Sequence, residues 1–244
     1  MFFHTHVYYA EKVDKNLDAL KVIGSIIPDL AGTSIITWDN LHKKKDILNF
    51  SSYVKKSHPA FTSLLKGINY HNSVDYLSHV KYKNSTPGYA YASATPQLID
   101  LTQKAYNVSP ERAKISAHNN IECGVDYHLL NDHPQLAELI KNSIKEIDMA
   151  GLSKLIAEYF KKSEKETFKA LKIFFSIATD YDLRSIDEWV RLFVGLNKMY
   201  LKTDSNEELT RKVLELSFKI TKDTYKEFIQ TAIATKDTEI KDCN

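Results

Sequence analysis

Apolar residues recur at every third and fourth position through most of this chain, and no stretch shows the convincing period-two pairing that strands require. Val7, Ala10, Val13, Leu17, Leu20 and Ile23 mark one such face over residues 5–27. Phe61, Leu64, Leu65, Ile68, Val74 and Leu77 mark another over 58–80. A third helix announces its own start, with Ser109 as N-cap, Pro110 at the first helical position and Glu111 in the first turn. Further helical patterns cover 153–162, 165–181, 185–201 and 206–233, and the run Leu192–Leu196 is expected in the core. Pro87, Gly88 and Pro96 punctuate residues 85–96, which read as a loop, and 236–244 read as a frayed tail. The expectation is an all-α multi-helix bundle.

A chain of 244 residues suits one large domain or a domain with an appendage. The division expected is a helical core over 1–147 and a C-terminal helical extension over 148–244 packed on it. The 33 basic and 31 acidic residues leave a net charge of +2, which is no electrostatic footprint for nucleic acid. No apolar run is long enough to span a bilayer, and the start lacks the basic and apolar regions of a secretory signal. Two cysteines, Cys123 and Cys243, form no disulfide framework. A cytoplasmic protein is the expectation.

The histidines are lopsided: all nine lie between His4 and His133, while lysines and acids continue evenly to the end. Any chemistry therefore belongs to the first half. His71, Asp75 and His79 are spaced four apart, so a helix stacks them on one stripe. The two imidazoles are then roughly 12 Å apart along the axis, too far for one ion but suited to two ions on either side of the carboxylate. His118 and Glu122 repeat the four-residue spacing on the helix with the marked start. Such a pair forms a natural two-point clamp for zinc. Upstream, His6, Asp29 and His42 are further candidate ligands.

Read in order, His6, Asp29 behind Pro28, His42, the His71–Asp75–His79 stripe and the His118–Glu122 pair resemble the zinc-dependent phospholipase C family. That family includes bacterial phospholipases C, the catalytic region of the glycosylphosphatidylinositol-specific phospholipase D and, more distantly, fungal single-strand nucleases. The resemblance runs from about Met1 to Asp132 and implies an all-α phospholipase C-like bundle, here with additional C-terminal helices. It implies that Asp29, His42, His71 and Asp75 hold one zinc, and that His79, His118 and Glu122 hold a second. A third would lie between Asp75 and His6, completed in the secreted members by an N-terminal tryptophan. Residue 1 here is Met, a departure that leaves two or three ions.

The implied activity is hydrolysis of a phosphate ester, a phosphodiester or phosphomonoester. Zinc lowers the pKa of a water toward 7 and neutralises charge on the phosphoryl group and the leaving alkoxide. Asp29 is the expected catalytic residue, orienting or deprotonating the attacking water. The alternative is a non-catalytic helical zinc-binding or scaffold protein that retains the ligands. Two other helical metalloenzyme classes find no support. The chain has no His-Asp dipeptide for an HD-type phosphohydrolase and no Glu-x-x-His pair for a ferritin-like di-iron site.

His4, His58, His128 and His133 have no place in the ligand order, and His128 is expected at the surface. Asp126, one turn beyond Glu122, is expected to be a solvated carboxylate. Tyr70, Tyr76, Tyr89 and Tyr91 are expected in the core or in a groove wall.

Overall fold

The first expected helix is broken in two, and the break has a local cause. In the computed structural model, α1 spans Phe3–Val13 and α2 spans Ala19–Gly24. Between them the Asp14 carboxylate accepts a hydrogen bond from the Asn16 amide, 3.0 Å, which turns the chain. Asp18 then caps α2 by accepting from the Lys21 amide, 2.9 Å. The structure describes residues 3–33, 35–84, 86–235 and 240–243. Among them the fold is all-α, with no strand, and no helix is long and apolar enough to cross a membrane.

After a 3₁₀ turn at Ile27–Thr33 come α3 (Asp39–His42) and α4 (Lys44–Ser57). The helix α5 covers Thr62–Asp75, and a π turn over Tyr76–Val80 widens its last turn. The expected loop contains a short helix, α6 (Tyr89–Ser93). It leads into α7 (Pro96–Tyr106), capped by Thr95. The central helix α8 runs over Pro110–Asp132, with Ser109 accepting from the Arg112 amide as the sequence predicts. There follow α9 (Gln135–Glu146), α10 (Met149–Phe160), α11 (Glu164–Asp180) and α12 (Ile186–Leu196), the last extended by a second π turn at Asn197–Leu201. The final expected helix also divides, into α13 (Glu207–Thr221) and α14 (Tyr225–Thr235).

Three close approaches decide where the polar residues end up. The first is between α2 and α5. A Cβ on Gly24 would lie 2.1 Å from the Leu64 carbonyl oxygen, and one on Gly67 would lie 2.2 Å from that of Lys21. The two backbones touch there because neither residue has a side chain. The second is at Gly88, whose amide donates to the His79 carbonyl, 3.1 Å, and where a Cβ would sit 2.5 Å from the Ser78 carbonyl. This contact holds the π turn from outside. The third is the packing of α8 against α1, α6, α7 and α13, which buries Ala117, Ile121 and Val125 completely.

Helices after residue 148 share this interior: α13 lies on α7 and α8, and α14 touches α1 and α8. Of the Leu192–Leu196 run, Leu192 and Phe193 are buried as expected, whereas Val194 is half-buried and Gly195 is exposed. The expectation of a frayed tail is overturned for Ile240–Cys243. There the Lys241 amide donates to Asn72 Oδ1, 2.8 Å, and Asn72 Nδ2 donates to Cys243 Sγ, 2.9 Å. The rest of that expectation, at 236–239 and 244, lies outside the described residues.

Candidate metal centre

Five different segments deliver the eight candidate ligands to one place. His6 comes from α1, Asp29 from the 3₁₀ turn and His42 from the end of α3. His71 and Asp75 come from α5, His79 from the π turn that continues it, and His118 and Glu122 from α8. Asp75 is at the middle, fully buried. Its Oδ1 lies 3.4 Å from His6 Nε2. Its Oδ2 lies 3.2 Å from His71 Nε2, 3.4 Å from His42 Nε2 and 3.7 Å from His79 Nδ1. Yet neither carboxylate oxygen has a hydrogen-bond partner with proper geometry among the described residues.

The ring orientations explain that. His42 Nδ1 is 2.7 Å from the Trp38 carbonyl, and His71 Nδ1 is 2.9 Å from the Ser25 carbonyl. A carbonyl only accepts, so both Nδ1 atoms carry hydrogen and donate. In the neutral rings the lone pairs then sit on the two Nε2 atoms, which face each other at 3.2 Å beside Asp75. Backbone carbonyls that fix the tautomer of a ring and aim its other nitrogen inward are a common support for metal-binding histidines. Both ring nitrogens of buried His6 and Nδ1 of His118 likewise lack hydrogen-bond partners among the described residues. Unpaired polar atoms at this depth cost several kcal/mol unless a cation or protons satisfy them.

Titration behaviour follows the same geometry. Burial takes His42 and His118 down to about 4, and burial together with the neighbouring His71 pushes His6 well below its ordinary value. These three rings are neutral donors at pH 7. Burial also opposes charge on His71 and His79. The Asp75 carboxylate, helped by Asp29 at the first and Glu122 at the second, outweighs it and raises both. Burial lifts the Asp29 carboxyl to about 6. Asp75 and Glu122 resist the same effect and are lowered: Asp75 chiefly through the charges on the His71 and His79 imidazoles, Glu122 through the charge of the chain's amino terminus and then through His79. The carboxylates thus favour the charged forms of His71 and His79.

Three sets of donor atoms each gather within 4.8 Å: His6, Asp29 and His71; His42, His71 and Asp75; His79, His118 and Glu122. In the last set His79 Nε2 is 2.7 Å from Glu122 Oε1, which also accepts from the Ser78 hydroxyl at 2.6 Å. Nitrogen and carboxylate donors in groups of three leave room for a fourth, exchangeable ligand, as catalytic zinc sites require. Met1, which stands where the secreted members of the resembled family have a tryptophan, lies outside the described residues.

No protein-family model, curated protein or solved structure matches the chain.

The cluster opens onto a cavity of about 680 Å³. Asp29, His79, His118 and Glu122 line its inner end, with Trp38, Tyr91 and Cys243 around them. Phe3, Phe174, Ile177 and Leu196 make its apolar wall. Two aromatic rings brace the ligands. Trp38 stacks on His42 at 3.5 Å between centroids, and Tyr91 stacks on His118 at 4.1 Å. Tyr91 is thus in the groove wall, as expected. Trp38 was not among the expected site residues, although it stands one helical turn before His42, the spacing that brings its carbonyl to the ring.

Two expectations are corrected. Asp126 is not solvated but fully buried, accepting from the amides of His4, 3.0 Å, and Thr5, 2.9 Å, and from the Thr5 hydroxyl. It serves as an N-cap supplied by another helix, since the first amides of α1 have no partner within α1. His4 Nδ1 also lies 3.2 Å from this carboxylate. His128 is half-buried rather than at the surface, with Nε2 2.7 Å from the Phe218 carbonyl. Neither role has a sequence signal, because both partners come from distant segments.

Proposed function

We propose that this chain is a zinc-dependent phosphoester hydrolase of the phospholipase C kind, binding two or three zinc ions through His6, Asp29, His42, His71, Asp75, His79, His118 and Glu122. One observation carries the reading. A fully buried carboxylate without hydrogen-bond partners among the described residues, Asp75, is ringed by four imidazole nitrogens, and one of those imidazoles, His79, lines the cavity together with Asp29, His118 and Glu122. The donor set is nitrogen and carboxylate oxygen without thiolate, which suits a catalytic rather than a purely structural zinc site.

Bound zinc would supply a water activated near neutral pH and positive charge for the phosphoryl oxygens. The residues of the chain supply the rest. The Trp38 and Ser25 carbonyls fix the His42 and His71 rings, and Ser78 fixes Glu122. Asp29 lies in the cavity wall with its carboxyl near 6, so at neutral pH it is mostly ionised and able to take a proton from an attacking water. Apolar walls keep bulk water from competing for the inner end.

The test combines metal analysis with hydrolysis of a p-nitrophenyl phosphodiester in added zinc, wild type against Asp75→Asn. Two or more zinc ions per chain and turnover that chelators abolish are expected, with both lost in the variant. Full zinc occupancy without hydrolysis of phosphodiesters, phosphomonoesters or phospholipids would instead favour the scaffold reading.

A further inference from the structure

Four arginines occur in the chain, and three of them are spent on carboxylates. Arg184 pairs with Asp182, Arg191 with Glu188 and Arg211 with Asp187. Arg112 has no ion-pair partner among the described residues, and it is the one Lys or Arg among the described residues that line the cavity. Its place on α8 is informative. Arg112, Ile115, Asn119 and Glu122 are spaced by three, four and three, so one face of the helix lines the cavity from its mouth to the ligand cluster. Along that face Arg112 stands about 9 Å from His118, at 1.5 Å per residue. Between them is Ile115, 40% exposed, an apolar side chain that gives a ligand nothing polar to hold.

We propose that Arg112 is a specificity residue that binds a second anionic group of the substrate, separated by an apolar span on the order of 9 Å from the phosphoryl group held at the ligand cluster. This rests on the phosphoester reading above and adds to it the chemistry of the substrate's far end. A planar guanidinium with its donors free binds a phosphate or a carboxylate in two-point fashion. The cavity lining also holds Asp29 and Glu122, and a carboxylate oxygen of each gathers with histidine nitrogens in a candidate donor set. An anion at Arg112 meets the one Lys or Arg of the described lining, and Glu122 stands ten residues farther along α8, about 15 Å at 1.5 Å per residue.

Calorimetric titration of the zinc-loaded protein tests this with three probes of one length. Hexylphosphonate carries one anionic end, 7-phosphonoheptanoate adds a carboxylate, and hexane-1,6-bisphosphonate adds a second phosphonate. Wild type is expected to bind at least one two-ended probe about tenfold tighter than hexylphosphonate, as a charge-assisted hydrogen-bonded pair warrants. Whichever two-ended probe gains identifies the second anion as carboxylate or phosphoryl. In Arg112→Gln that gain should vanish while hexylphosphonate affinity and zinc content stay unchanged, and Arg112→Lys should keep part of it. Equal binding of all three probes by wild type, or a gain that survives in Arg112→Gln, overturns the proposal. Failure of hexylphosphonate to bind a protein that holds its zinc is a different result: it refutes the phosphoester reading itself, and this proposal with it.

Discussion

Asp75→Asn is the perturbation that separates a shared metal centre from a set of independent sites. Its two oxygens face different partners, Oδ1 toward His6 and Oδ2 toward His42 and His71. Losing the charge therefore weakens more than one ion. An ion present at a hundredfold excess over its Kd stabilises the folded state by about 2.7 kcal/mol. For a chain of this size each kcal/mol moves Tm by roughly 2–4 °C, so one filled site is worth ~5–10 °C and two are worth ~10–20 °C. His118→Ala removes a ligand of one donor set only, since His118 groups with His79 and Glu122 and not with His42 or His71. Thermal unfolding with and without zinc, paired with metal analysis of the dialysed protein, makes the comparison. Wild type should show the full rise, His118→Ala should lose the share of one site, and Asp75→Asn should lose the shares of both sites that its two oxygens face, keeping that of the His79–His118–Glu122 set. The metal-free Tm of Asp75→Asn should stay near wild type, because His71 and His79 can shed the protons that the carboxylate holds on them. A metal count and Tm rise in Asp75→Asn equal to those of His118→Ala would refute the bridging role.

Zinc affinity should fall as pH drops through about 6, where Asp29 takes up a proton, because ligands bind metal only when deprotonated. At pH 7 binding should release protons from His71 and His79, whose raised pKa values favour the charged form in the metal-free protein. Calorimetry in buffers of different ionisation heat would count the released protons. Gly24→Ala should destabilise by about 1–3 kcal/mol or more by denaturant titration, since its methyl would meet the Leu64 carbonyl at 2.1 Å. It should also weaken zinc binding, because Ser25, the next residue, holds His71. Asp126→Ala should cost about 1–3 kcal/mol by uncapping α1, with hydrogen exchange rising first at His4 and Thr5.

Local rules explain how much was legible. The spacing of four between His71 and Asp75, and between His118 and Glu122, is a property of one helix, so each pair could be read before any fold was known. The start of α8 was equally local: Ser109, Pro110 and Glu111 act within one turn. His79 shows where such reasoning thins. It follows Asp75 by four residues, but a π turn carries it, and the contact with Gly88 that supports this turn depends on chain folding back from beyond Pro87. The break after Val13 was written in Asp14 and Asp18, yet apolar periodicity running across it concealed it.

Residue spacing alone was enough for the all-α character, the order of the eight candidate ligands and the pairs that share a helical face, because helical geometry turns spacing into direction. Tertiary structure decided which pairs meet. It brought the Trp38 and Ser25 carbonyls to two ring nitrogens, buried Asp75 among four imidazoles and sent Asp126 across 121 residues to cap α1. It also placed Arg112 in the cavity wall without an ion-pair partner among the described residues. Those outcomes depend on close packing between segments far apart in the chain, where a missing Cβ at Gly24 or Gly67 sets how near two backbones come.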